Sequence, residues 1–135
     1  MKAIKKTETS TTLQKDKHIL IVDNELNMQK LLYSYLSPNY NIVVKSSSIE
    51  ALRWIQDGNQ PQLIISEYQL PYLSGTSFVQ TIKTSGLYSD IPVIMLSASD
   101  GFEQKVFDLP FAVEGVMRKP FNPTHLTTTI QKYVA

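Results

Sequence analysis

The sequence contains no cysteine, which removes disulfides, thiolate nucleophiles and thiolate metal sites. It also lacks any run near the ~18 to 20 apolar residues that a membrane span requires. The opening segment, Met1 to Lys17, has no apolar stretch, so it is not a secretory signal. A cytoplasmic location is the expectation that follows. Charge of one sign is scarce as well, since 13 basic and 12 acidic residues leave +1. That balance hides an asymmetry. Residues 1–17 carry Lys2, Lys5, Lys6, Lys15 and Lys17 against Glu8 and Asp16, for +3, and the remainder carries −2. The leader's Thr/Ser/Lys composition predicts a solvated basic tail over 1–17, followed by one domain over 18–135. The domain has no basic stripe, so direct nucleic-acid binding is not expected.

What is present is a repeating alternation. Five short apolar runs alternate with segments of helical period. His18 to Val22 reads as a buried strand. Leu26 to Leu36 follows as a helix placing Met28, Leu31, Leu32, Tyr35 and Leu36 on one face. Asn41 to Lys45 is a second strand, and Ser47-Ser48-Ile49-Glu50 is a capping box opening a helix that stops near Asp57-Gly58. Leu63 to Ser66 is the third strand. After Leu70-Pro71-Tyr72-Leu73-Ser74-Gly75, Thr76 is expected to cap a helix with Phe78, Val79 and Ile82 inward. Ile91 to Leu96 is the fourth strand, and Phe102 to Leu109 is a short helix ended by Pro110. Val113 to Met117 is the fifth strand, and Asn122-Pro123 supplies N-cap and N1 of the last helix. This alternation predicts an α/β fold with a parallel sheet covered on both faces, and ligands outside the carboxyl ends of its strands.

Polar residues cluster at those ends. Asp23-Asn24-Glu25 follows the first strand, Glu67 ends the third, Ser97 follows the fourth and Lys119-Pro120 follows the fifth. Singly, each is compatible with a cap or a solvated loop. Together on one rim, they mark a site.

Here the sequence resembles the receiver domains of bacterial response regulators, across residues 17–135. The segments that carry the resemblance are His18-Ile-Leu-Ile-Val-Asp-Asn-Glu25, Pro61 to Gly75, Ile91-Pro-Val-Ile-Met-Leu-Ser-Ala98 and Arg118-Lys-Pro-Phe121. The resemblance implies a flavodoxin-like (βα)5 fold with strand order 2-1-3-4-5 and a role in two-component signalling. It also implies that Glu67 stands at the phospho-acceptor position and that Asp23, Asn24 and Gln69 match the metal pocket. Ser97 and Lys119 match the phosphoryl-binding pair, and Val116 matches the switch aromatic.

Three departures from the family pattern bear on function. Glu67 replaces aspartate, and its extra methylene moves the oxygens by about 1.5 Å, where a misplacement near 1 Å can cost ~100-fold. Asn24 replaces a carboxylate with a neutral amide, so the charge of Asp23, Glu67 and Lys119 sums to −1 and Mg²⁺ affinity is expected to be weak. Val116 cannot perform an aromatic swing. Glu67 then has two readings: a partial imitation of the phosphorylated state through Lys119 or Ser97, or a structural ion pair with Lys119.

The expectation is an atypical receiver, not an enzyme, that needs no cofactor and acts by phosphorylation-independent contact with a histidine kinase or downstream effector. The face of helix 4, strand 5 and helix 5 would serve, with Phe102, Lys105, Val106 and Arg118 on it, and a homodimer is compatible with it. Phe107, Phe111 and Tyr133 are expected in the core, while Trp54 is a weaker exposed anchor. Two alternatives stand beside this reading. One is a working phospho-acceptor that uses Mg²⁺. The other, remote, is a flavin- or nucleotide-binding domain, disfavoured because Asp23-Asn24-Glu25-Leu26-Asn27 has no glycine or hydroxyl and is acidic where phosphate would sit.

Overall fold

The computed structural model describes residues 16–134, and the predicted basic tail lies almost wholly outside the described residues. The strands are β1 (His18–Val22), β2 (Asn41–Lys45), β3 (Leu63–Glu67), β4 (Val93–Ser97) and β5 (Gly115–Arg118). The helices are α1 (Leu26–Leu36), α2 (Ser48–Gln56), α3 (Gly75–Lys83), α4 (Phe102–Phe107) and α5 (Pro123–Tyr133). All four strand pairings are parallel and the order is 2-1-3-4-5, as expected.

The central strands read as continuous apolar runs because both of their faces are covered. Ile19, Ile21, Leu63, Ile65, Ile94 and Leu96 pack under α1 and α5. Leu20, Val22, Ile64, Val93 and Met95 pack under α2, α3 and α4. No helix among the described residues is long and apolar enough to cross a membrane.

Local chemistry sets the helix ends. Ser47 accepts from the Glu50 N–H, as the capping box requires, and α2 gives way at Gly58, whose φ of 103° is open to glycine at little cost. Asn122 accepts from the His125 N–H to open α5, with Pro123 in its first turn. Before α3 the cap is Ser74, which accepts from the Ser77 N–H; the predicted cap, Thr76, lies inside the helix. Gly75 makes that early start possible. A Cβ there would stand 2.1 Å from the Glu67 carbonyl oxygen, so the first turn of α3 lies directly on the end of β3.

Several burial expectations are corrected. On α1 the buried line is Met28, Leu32 and Leu36, spaced by four, whereas Leu31 and Tyr35 are exposed. Tyr35 lies toward α5, where its hydroxyl donates to the Pro123 carbonyl. Helix α4 has only six residues, so Phe102 and Val106, one turn apart, take its inward face. Phe107 is left 82% exposed instead of in the core, and Tyr133 is also exposed. Phe111 and Trp54 are half-buried.

Candidate functional site

The carboxyl ends of β1, β3 and β5 bring Asp23, Glu67 and Lys119 together. Lys119 Nζ donates to Asp23 Oδ2 and to Glu67 Oε1, both at 2.7 Å. The side chains of all three are at most a tenth exposed. The remaining carboxylate oxygens are also occupied. The Glu25 N–H donates to Asp23 Oδ1 at 2.9 Å, and the Gln69 N–H donates to Glu67 Oε2 at 2.7 Å. Burial alone would lower the lysine pKa. Hydrogen bonds from the two carboxylates and their charges outweigh it and hold Lys119 above its usual value.

This closure follows from backbone placement. Asp23 and Glu67 stand where their strands end, and the chain turns back so that the amide two residues later caps each carboxylate. Lys119 is carried up by β5, whose last link to β4 is the Lys119 N–H to Ser97 carbonyl bond. The peptide between Lys119 and Pro120 is cis.

The other predicted residues fall around this triad. Asn24 and Gln69 are exposed on a cleft of about 430 Å³ that Asp23, Glu25, Glu67 and Lys119 also line. Ser97 is buried at the end of β4, but its hydroxyl turns to Ser99, donating to Oγ and accepting from the Ser99 N–H, both at 3.2 Å. Ser97 and Glu67 share no hydrogen bond. Val116 is half-buried on β5 and lines a separate groove beside α4, with Val106, Phe107 and Phe111.

On the face of α4, β5 and α5, Phe102 and Val106 are buried and not available, whereas Lys105 is exposed. Arg118 is exposed but engaged, donating to Glu103 at 3.0 Å and Asp100 at 3.1 Å. Glu25, read with Asp23 and Asn24 as part of the rim, lines the cleft, whereas sequence reasoning missed Ser99 as the partner of Ser97. A hydroxyl two residues beyond Ser97 is the local pattern that could have pointed to Ser99.

The donor set fits Mg²⁺ poorly. The two buried carboxylates suit a hard cation, but each of their four oxygens already accepts from an N–H or the ammonium. The third expected carboxylate is the Asn24 amide. Among the described residues no group of three His, Cys, Asp or Glu side chains could hold a metal ion.

Comparison with known proteins agrees with this geometry. A family model described as the response regulator receiver domain matches residues 19–131. A probable transcriptional regulator, ycf27 of Cyanidium caldarium, is 36% identical over 84% of this chain and 45% of its own. The chain thus spans about half the length of the curated relatives it matches. The chemotaxis response regulator CheY4 of Vibrio cholerae superposes with a TM-score of 0.76 at 26% identity, covering 87% of this chain and 98% of that one. The receiver domain of the sensor histidine kinase PA1611 from Pseudomonas aeruginosa PAO1, solved with magnesium in its active-site cleft, superposes at 0.77 with 21% identity, covering 87% and 97%. The parallel order 2-1-3-4-5 and a family match over nearly all the described residues lead to one assignment: the chain belongs to the response regulator receiver domain family.

Proposed function

We propose that this receiver domain works in two-component signalling as a protein-contact module whose state does not depend on phosphorylation of Glu67. One observation carries the reading: Lys119 holds Asp23 and Glu67 at 2.7 Å while backbone amides occupy the other two carboxylate oxygens. A phosphoryl donor therefore meets a carboxylate already paired with an ammonium that it shares with Asp23. Nucleophilic attack would require breaking a buried, charge-assisted bond with no Mg²⁺ firmly held to compensate.

The ion-pair role is favoured over imitation of a phosphorylated state. Of the two routes to imitation, the one through Ser97 finds its hydroxyl donating to Ser99, and the one through Lys119 uses the same 2.7 Å contact as the ion pair, so it is the missing switch that weighs against imitation. The neighbouring switch position is Val116, which cannot relay such a change. Output would then go through residues outside the pocket. The candidates are Lys105, Phe107 and the groove of about 630 Å³ between α4 and β5, facing a histidine kinase or an effector.

Incubation with acetyl phosphate and Mg²⁺, read by intact mass, tests this. The expected outcome is unchanged mass for the natural sequence and a gain of ~80 Da for the double variant Glu67→Asp, Asn24→Asp. A gain of ~80 Da on the natural sequence would overturn the proposal in favour of a working phospho-acceptor.

A further inference from the structure

Among the described residues, the strand order leaves β2 at one edge of the sheet, paired only with β1. The Asn41 N–H donates to the Lys17 carbonyl, and the Lys45 carbonyl accepts from the Asp23 N–H. Alternate residues of a parallel strand face the same neighbour, so Asn41, Val43 and Lys45 point their backbone groups at β1. The N–H and C=O groups of Ile42 and Val44 therefore face outward. Such an edge is ordinarily guarded by proline, a bulge, an inward charge or a covering loop. The middle of this strand, Ile42-Val43-Val44, has no proline, bulge or charge, all three residues are half-buried, and Lys45 at its end is its one charged residue.

We propose that β2 is a homodimer seam, where two copies of this chain join edge to edge into one continuous ten-stranded sheet. The strand is self-complementary about a two-fold axis through Val43. Antiparallel pairing there sets Ile42 opposite the partner's Val44 and Val44 opposite the partner's Ile42. These are the residues with outward backbone groups, so each pair exchanges two hydrogen bonds, four in all. Val43 meets the partner's Val43 as the close, non-hydrogen-bonded pair between them. Asn41 meets the partner's Lys45, so no like charges are opposed.

The flanks of the strand suit the same contact. On the α1 side, Val44 forms a shallow, largely apolar groove with Gln29, Lys30 and Tyr33, and Tyr33 is 51% exposed. On the α2 side, Lys45 borders a second groove with Trp54, Glu50, Arg53 and Asp57, whose two basic and two acidic residues cancel. The two-fold axis would place an aromatic residue of each copy on either side of the seam, the type of residue that dominates binding energy at interfaces. Charge balance on the α2 side leaves Lys30, on the α1 side, as the one uncompensated charge in the two grooves, too little repulsion to favour a foreign, oppositely charged strand. A second copy is therefore the occupant that this edge fits.

Sedimentation velocity of the 135-residue chain over a concentration series tests the seam, with amide exchange on the same samples. The expected result is a mass rising from 15.3 kDa toward twice that value, with added protection at the Ile42 and Val44 amides at high concentration. Val44→Pro removes an outward N–H without breaking a β1 bond, and proline is tolerated on edge strands. It should weaken association at least about tenfold, and Tyr33→Glu, away from the ladder, should weaken it as well. Phe107→Ser on α4 should leave association unchanged. A monomer at ~1 mM, or association lost in Phe107→Ser and retained in Val44→Pro, would overturn the proposal.

Discussion

Two buried lysines stand at opposite ends of the sheet, and their surroundings differ in one respect. At the amino end, Lys83 Nζ donates to Glu114 Oε1 at 2.8 Å and to the Ile91 carbonyl at 2.9 Å, while the same Glu114 oxygen accepts from the Val93 N–H. One cation meets one anion and the sum is zero. At the carboxyl end, Lys119 meets two carboxylates and the sum is −1, beside an open cleft. A clasp that only ties α3 to the start of β4 and β5 needs no surplus charge. The surplus at the carboxyl end fits the acidic pocket that the receiver fold places there.

The largest expected effect comes from removing each ammonium. Lys119→Met leaves two buried carboxylates facing one another and should destabilise the domain by about 3–5 kcal/mol. Lys83→Met leaves one carboxylate that keeps the Val93 N–H and is 23% exposed, and should cost about 1.5–3 kcal/mol. Urea denaturation of both variants checks the ranking, and an equal or larger loss at Lys83 would break the comparison. Alkaline pH sharpens it. Because the folded-state pKa of Lys119 is raised, its contribution is complete below the unfolded value of about 10.4 and is lost as pH climbs through the higher folded value. The stability gap between the natural sequence and Lys119→Met should therefore be flat at neutral pH and narrow only above about pH 10.4.

Magnesium probes the surplus charge directly. Asn24→Asp adds one negative charge to the cleft, taking the sum over Asp23, Glu67, Lys119 and position 24 from −1 to −2, and supplies a further hard-oxygen donor. Its Mg²⁺ affinity should exceed that of the natural sequence by at least about tenfold, roughly 1.4 kcal/mol, in a calorimetric titration. Equal affinities would mean that the Lys119 pairs, and not the missing carboxylate, set the weakness.

The alternation of strands and helices and the polar rim were legible because they rest on patterns with strong physics, whereas the strand order came from the family resemblance. Buried parallel strands are apolar throughout, and Asp23, Glu67, Ser97 and Lys119 each follow such a run. Less legible were features decided by direction. The side chain of Ser97 could turn to Glu67 or to Ser99, and spacing does not choose between them. Phe107 looked like core because phenylalanine usually is, yet a six-residue helix has room for only one inward pair, Phe102 and Val106. The capping of α3 moved from Thr76 to Ser74 because Gly75 alone can lie against the Glu67 carbonyl, a tertiary contact invisible along the chain. The Lys83–Glu114 clasp spans 31 positions and leaves no local trace.

Glycine fills a left-handed position at each end of the sheet, Gly58 after α2 and Gly101 before α4, but one such position at the carboxyl end is not glycine. At the amino end the left-handed position after α2 is taken by Gly58, with φ of 103°. At the carboxyl end the β3–α3 loop places Tyr72 at φ of 66°, with its side chain 95% exposed. A left-handed conformation costs an L residue with a Cβ roughly 1–2 kcal/mol, and here no burial offsets it. The loop nevertheless holds that shape, because Pro71 precedes Tyr72, the Gly75 N–H donates to the Tyr68 carbonyl, and Ser48 Oγ donates to the Leu73 carbonyl at 2.9 Å. Tyr72→Gly should therefore stabilise the domain by about 0.5–1 kcal/mol, the relieved strain less the extra freedom glycine gives the unfolded chain. Gly58→Tyr, where an added Cβ meets nothing within 4 Å, should destabilise it by about 0.5–1 kcal/mol for the same reason read in reverse. Thermal unfolding of both variants measures the pair, and a destabilised Tyr72→Gly would mean that the exposed ring makes a stabilising contact in solution.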